Sequence, residues 1–242
     1  GKAGIGEPMK IFFSDMDFTL LTTDKNISPK TYAALREFVD AGNSFVMSTG
    51  RALSSALKLR DRLGLNFPHS YMSIFNGAMI YDNDAEKPIL EIHVPMEVVR
   101  DLIAIADEEG IHIQTYQGRY FVVRKYSPEV EYYMNGTVMP VIINPNIMEE
   151  LQNEPCKMLM INLENRKRLE EVQHRLERRF GDELDFVFSH DYYLDIFPKT
   201  AGKGNAVRHL CRMLDVPIEN TLAAGDEEND ITMLQAAGLG IA

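Results

Sequence analysis

The chain has 242 residues, 45% hydrophobic and 25% charged, enough to bury one large core or two modest ones, which excludes a disordered or fibrous protein. Its 25 Lys and Arg against 36 Asp and Glu leave a formal net charge of −11, which argues against a nucleic-acid partner because a phosphate backbone calls for a basic surface. No apolar run nears the roughly 20 residues of a membrane helix, residues 1–8 lack the apolar core of a secretion signal, and two cysteines without a framework point to a reducing, cytoplasmic setting.

Lys10-Ile11-Phe12-Phe13-Ser14 is an apolar run that stops at Asp15 and Asp17, the pattern of a buried parallel strand. Such sheets keep their chemistry at the carboxyl ends of their strands. Two residues apart on extended backbone, the carboxylates leave on the same side and repel, so a cation is implied; oxygen donors without nearby Cys or His suit Mg²⁺ ahead of Ca²⁺, best with a phosphate completing its shell. Ser28-Pro29 then caps an amphipathic helix whose stripe of Tyr32, Leu35, Phe38 and Val39 ends at Gly42. Ser44 to Met47 leads into Ser48-Thr49-Gly50-Arg51, and the next helix, over 52–63, stops at Gly64. Strand and helix in this rhythm mean right-handed crossovers and a parallel sheet, which puts the Thr49 corner on the same edge as Asp15. A hydroxyl and a backbone N–H at a strand-to-helix turn are phosphate donors, and Thr49 can also simply cap the helix.

Asn76-Gly77 between apolar runs over 71–75 and 78–81 signals a hairpin. From about Asp82 to His190 the strands (89–94, 111–116, 120–125, 157–163, 184–189) follow one another more closely, with helical patterns over 96–109 and 165–180. This predicts a second domain, an antiparallel sheet with helices on one face. A strand over 192–197 then resumes the core, and residues 198–206 run into a helix over 207–214. Lys203 at that helix start opposes the macrodipole, which suggests that it holds an anion; Lys199 is its competitor. Thr221 to Ala224 is another apolar strand, ending at Gly225-Asp226-Glu227-Glu228-Asn229-Asp230.

Taken in order, Asp15-x-Asp17-x-Thr19 after a strand, Thr49-Gly50-Arg51, Lys203-Gly204-x-Ala206 and Gly225-Asp226-x-x-Asn229-Asp230 resemble the motifs of the haloacid dehalogenase-like phosphohydrolases, most of all their Cof-type sugar-phosphate phosphatases. The resemblance spans nearly the whole chain. It implies an α/β fold with a Rossmann-like, doubly wound parallel core over residues 1–82 and 191–242 and an inserted α/β cap over 83–190. It also implies Asp15 as nucleophile and Asp17 as general acid/base. Thr49 and Lys203 would hold the transferring phosphoryl group with the backbone of Met16 and Gly50. Arg51 would reach toward substrate, Asn76 would face the substrate cavity, and Asn229 would contact phosphate. Mg²⁺ would sit on Asp15, Asp226 and the Asp17 carbonyl, with Asp230 behind them.

The expected activity is hydrolysis of a small phosphorylated metabolite through an aspartyl-phosphate. A hexose phosphomutase and a receiver-like phospho-accepting module are the rival readings, the latter disfavoured by the size of the insertion. The motifs specify neither the substrate nor the oligomeric state. Two departures stand out. Phe18 occupies a place where the family usually has Gly, removing conformational freedom from that turn. The sequence also ends at Ala242, where Cof-type proteins continue through another loop, strand and helix.

Overall fold

The computed structural model describes residues 7–242, so the absence of a signal core was read largely from residues that lie outside it. The chain first forms β1 (Ile11–Ser14), α1 (Pro29–Asp40), β2 (Ser44–Ser48), α2 (Leu53–Leu63), β3 (Tyr71–Ile74), β4 (Met79–Asp82) and β5 (Lys87–Glu91). It continues through α3 (Met96–Glu109), β6 (His112–Gln117), β7 (Tyr120–Val123), α4 (Pro128–Thr137), β8 (Val141–Ile143), β9 (Met158–Ile161), α5 (Arg166–Phe180), β10 (Leu184–His190) and β11 (Tyr193–Pro198). It closes with α6 (Lys203–Leu214), β12 (Thr221–Ala224), α7 (Ile231–Ala236) and β13 (Leu239–Ile241).

Local chemistry sets the helix ends. Ser28 Oγ accepts the Thr31 N–H at 3.1 Å with Pro29 in the first turn of α1, and α2 stops at Gly64, whose φ of 68° is the left-handed conformation that glycine allows.

The core sheet has the order β13-β12-β1-β2-β3-β4-β5; the first five strands run parallel to one another, β4 is antiparallel to β3, and β5 is antiparallel to β4. Helices cover both faces, which is why β1 reads as an unbroken apolar run. Ile11 and Phe13 pack with Val207, Leu210 and Met233 of α6 and α7, whereas Phe12 on the opposite face meets Phe38 of α1 at 6.2 Å between ring centroids. In the β1–β12 register Ser14 lies opposite Ala224, and the Asp15 N–H continues the ladder to the Ala224 carbonyl at 2.9 Å. That pairing brings the Asp15 and Gly225-Asp226 corners together although they are some two hundred residues apart.

The second sheet has the order β10-β11-β9-β6-β7-β8 and is antiparallel except for β7 with β8. Met158, Met160, Leu194 and Ile196 form one face under α3 and α5. The alternate residues Leu159, Ile161 and Phe197 belong to a different cluster, shared with Val130 and Tyr133 of α4 and with core residues such as Met47, Ala56 and Phe75. The second face of the cap sheet therefore turns toward the core, with α4 beside it.

Two expected boundaries move. β5 pairs with β4 in the core sheet, and β11 pairs with β9 and β10 in the cap sheet. The chain thus leaves the core after Glu91 rather than at 82, and returns after Pro198 rather than at 191. Both strands are apolar enough for either sheet, and backbone pairing decides between them. The Asn76-Gly77 hairpin is wider than a two-residue turn, with Phe75, Asn76 and Gly77 at φ 50°, 57° and 83°. Helix α4 was not foreseen.

A Cβ at Gly77 would lie 2.2 Å from the carbonyl oxygen of Gly202, the residue that leads the returning chain into α6. Gly42, at φ 91°, has nothing within 4 Å of the same position. Gly42→Ala should cost about 1–2 kcal/mol from backbone strain alone, and Gly77→Ala at least ~2 kcal/mol more. Urea denaturation of the two variants checks the difference, and equal losses would refute the close approach.

Candidate active site

The carboxyl edge of the core sheet gathers carboxylates around one buried cation. Lys203, in the first turn of α6 and 2% exposed, places Nζ 2.6 Å from Asp230 Oδ1 and 3.2 Å from Asp15 Oδ1. Burial alone would lower the Lys203 ammonium, but Asp15 and Asp230 outweigh it and raise it, so the group stays charged. Burial likewise pushes the Asp15 carboxyl up to about 7, with Lys203 opposing the shift and Asp230 adding to it. Asp230 Oδ2 accepts the N–H groups of Asp226 and Glu227, both at 3.1 Å, and so shapes the loop after β12. Lys199 instead donates to the Gly181 carbonyl on the surface, away from this cluster.

Asp15, Asp226 and Asp230 each offer a carboxylate oxygen, and these oxygens lie within 4.8 Å of one another. An all-oxygen set of this kind fits a hard divalent cation and has nothing for a soft one. The Asp17 carboxylate is not in this set. The chain does not stay extended after Ser14: residues 16–20 form a tight turn with Phe18 at φ 60°, and Asp17 points instead to Lys25 at 2.7 Å and Arg51 at 3.8 Å. Any part for Asp17 in holding a cation falls to its backbone carbonyl.

Arg51 also donates to Ser55 Oγ at 2.9 Å, and Thr49 Oγ1 accepts the Arg51 N–H at 3.1 Å. Asp15, Asp17, Thr49, Gly50, Arg51 and Asn229 all border one cavity of about 1000 Å³ between core and cap. Met16 turns its side chain into the core, which leaves its backbone as the group near the site. Asn76 does not border the cavity. It is fully buried behind Gly50, where a Cβ on Gly50 would meet its Oδ1 at 3.2 Å, because the left-handed turn at residues 75–77 folds it inward.

The cap supplies residues that the motifs did not reveal. Lys157 reaches into the core to donate to the Gly50 carbonyl at 2.8 Å and pairs with Asp195 at 3.1 Å, both side chains being almost fully buried. Burial lowers the Lys157 ammonium, an effect that Asp195 opposes. Tyr132, Tyr133, Tyr193 and His190 form the cap wall of the cavity, and Lys25, Lys58 and Arg62 border it as cations. The one signal in sequence was Asp195, a carboxylate inside the apolar run Tyr193-Leu194-Asp195-Ile196-Phe197.

Removing the central cation leaves two carboxylates buried without compensation. Lys203→Met should destabilise the fold by about 3–5 kcal/mol, the usual cost of breaking a buried pair, whereas Lys199→Met should change it by under ~1 kcal/mol. Thermal or urea unfolding of both variants at neutral pH measures this, and a neutral Lys203→Met would show that the ammonium is dispensable to the fold.

The sequence profile described as haloacid dehalogenase-like hydrolase matches residues 12–242. Phosphatase YwpJ of Bacillus subtilis is 27% identical over an alignment 266 positions long, covering 97% of this chain and 89% of that protein. The HMP-PP phosphatase of Yersinia pestis is 26% identical over 227 residues, covering 94% and 81% respectively. Among solved structures, TM0651 from Thermotoga maritima superposes with a TM-score of 0.80 at 29% identity, over 96% of this chain and 85% of that one. With its ordered strand-end motifs, its two-sheet fold and this profile over nearly all of its length, the chain belongs to the haloacid dehalogenase-like hydrolases, as a phosphatase of their Cof-type branch.

Proposed function

We propose that this phosphatase hydrolyses small phosphorylated metabolites of the cytosol, sugar phosphates foremost, in a Mg²⁺-dependent reaction through an aspartyl-phosphate on Asp15. The observation that carries the reading is the Asp15 carboxylate, held at the end of β1 by Lys203 and bordering a cavity of about 1000 Å³. A cavity of that size takes a metabolite and not a polymer.

Bound by Asp15, Asp226 and the Asp17 carbonyl, Mg²⁺ would supply the positive charge that lets a carboxylate meet a phosphate dianion. Asp15 attacks phosphorus, forming the acyl-phosphate bond as the ester P–O bond breaks. The Lys203 ammonium, the Thr49 hydroxyl and the backbone N–H groups of Met16 and Gly50 hold the equatorial oxygens as they gain charge. Asp17 gives its proton to the departing alkoxide, then takes one from the water that attacks phosphorus and frees Asp15. Its partly exposed place on the cavity side puts the carboxyl within reach of the leaving group and of water. Arg51 and Asn229 border the same space and suit further phosphate contacts, and the tyrosine wall offers faces and hydroxyls to a sugar ring.

Chelation with EDTA should abolish release of inorganic phosphate, with Mg²⁺ restoring it; full turnover in chelator would overturn the metal assignment. Asp15→Asn should lower kcat by more than about a thousandfold while the protein stays folded, because the amide is a near isostere but a poor nucleophile. Asp17→Asn should be slow in both halves, yet with an activated aryl phosphate, which needs little protonation to leave, it should accumulate a single phosphoryl adduct visible by intact-protein mass spectrometry. Unchanged turnover and no adduct would remove Asp17 from acid/base duty. Isomer formation in place of phosphate release would turn the assignment to a mutase.

A further inference from the structure

Outside the Asp15 cluster, the described residues contain one other place where three ligand-type side chains converge, and we propose that Glu91, His93 and Cys156 form a second metal site, for a Zn²⁺-like cation, at the first crossing from core to cap. Glu91 is the last residue of β5, His93 lies two residues on in the crossing segment, and Cys156 comes from the cap segment just before β9. The backbones that carry them are tied in place. Ile92 donates to the Ala78 carbonyl in the core and Val94 to the Pro155 carbonyl in the cap, both at 2.8 Å.

One atom from each of the three residues lies within 4.8 Å of the other two, and His93 Nε2 is 3.7 Å from Glu91 Oε1. A tetrahedral Zn²⁺ shell needs donor separations of about 3.3–3.6 Å, from Zn–S near 2.3 Å and Zn–N or Zn–O near 2.0–2.2 Å. The difference is within reach of side-chain rotation. Cys156, 6% exposed, is the fixed anchor, while Glu91 and His93 keep 46% and 37% of their side chains in solvent and can swing inward. Their exposure also gives a metal its entry path and leaves the fourth position to water.

The donor set selects the ion. Sulfur, nitrogen and oxygen together suit a borderline cation such as Zn²⁺ or Co²⁺ and not Mg²⁺, the reverse of the oxygen-only cluster at Asp15. Cys211 supplies the contrast within the same chain: it is buried among α6 and α7 residues, no ligand-type cluster surrounds it among the described residues, and there it serves as a small hydrophobe. A cation on Glu91, His93 and Cys156 would join the end of a core strand to the cap segment that carries Lys157, whose ammonium reaches the Gly50 carbonyl at the catalytic edge. The site thus serves as a staple across the crossing.

Titrating the metal-free full chain with Co²⁺ tests this, because a thiolate on Co²⁺ gives a near-ultraviolet charge-transfer band that carboxylates at the other cluster cannot give. The wild type and the Cys211→Ala and Asp226→Asn variants should show the band, and Zn²⁺ should displace it. Cys156→Ala should lose the band. Glu91→Gln and His93→Asn, at half-exposed positions that leave packing intact, should each weaken Co²⁺ binding by about tenfold or more, since even outer ligand partners are worth that much. A band that survives in Cys156→Ala, or that disappears in Cys211→Ala, would overturn the assignment. So would a folded wild type that shows no band, or affinity unchanged in both surface variants.

Discussion

The ammonium group of Lys203 is the interaction on which the carboxyl edge of the core sheet depends. A cation with this little solvent is tolerable only beside compensating charge, and Asp15 and Asp230 provide it at 3.2 and 2.6 Å. The compensation is mutual, because neither carboxylate could be crowded this close to the other without the ammonium between them. Asp230 then uses its remaining oxygen on the N–H groups of Asp226 and Glu227, so the same charge network fixes the loop that presents Asp226. Gly225 makes that packing possible, since a Cβ there would fall 2.5 Å from the Asp230 Cβ. Three segments distant in sequence become one electrostatic unit because β1 and β12 pair in parallel.

The turn after β1 shows how strain is distributed around that unit. Phe18 holds a left-handed conformation that costs a non-glycine residue about 1–2 kcal/mol, and the residue is 68% exposed with Lys25 Nζ 4.9 Å from its ring centroid. The turn separates the two carboxylates of the first motif. Asp15 faces inward to Lys203, and Asp17 faces outward to Lys25 and Arg51. Two chemically identical side chains, two residues apart, thereby gain environments different enough for different work.

The cap is bound to this edge by polar and apolar contacts together. One apolar cluster runs without a break from the core residues Met47 and Phe75 to the cap residues Leu159 and Phe197. Within it the Lys157–Asp195 pair meets the Gly50 carbonyl. A buried ion pair of this kind adds little net stability, and its value lies in geometry, since it sets the cap in register with the Thr49-Gly50-Arg51 corner. Tyr116 and Tyr133, whose hydroxyls bond each other at 2.8 Å, serve the same buried face. Any movement of the cap therefore acts on the backbone of the Thr49-Gly50-Arg51 corner as well as on the cavity wall.

The sequence by itself determined the strand ends and what stands on them. Apolar runs that stop at Asp15, Thr49 and Asp226, together with a cation placed against a helix dipole at Lys203, mark one sheet edge as the candidate site, because hydrophobicity and charge are local properties of the residues. The same logic recovered helix α3 and strand β12 with their observed bounds. What only the tertiary structure decided is which strand joins which sheet and where the turns aim their side chains. β5 and β11 are apolar segments that either domain could accept, and backbone pairing assigned the first to the core and the second to the cap. Asn76 turned inward behind Gly50, and Asp17 turned away from the carboxylate cluster, because left-handed residues in their turns redirect the chain. Lys157 and Asp195 became neighbours through antiparallel pairing of β9 with β11, a relation between residues almost forty apart that no local pattern encodes.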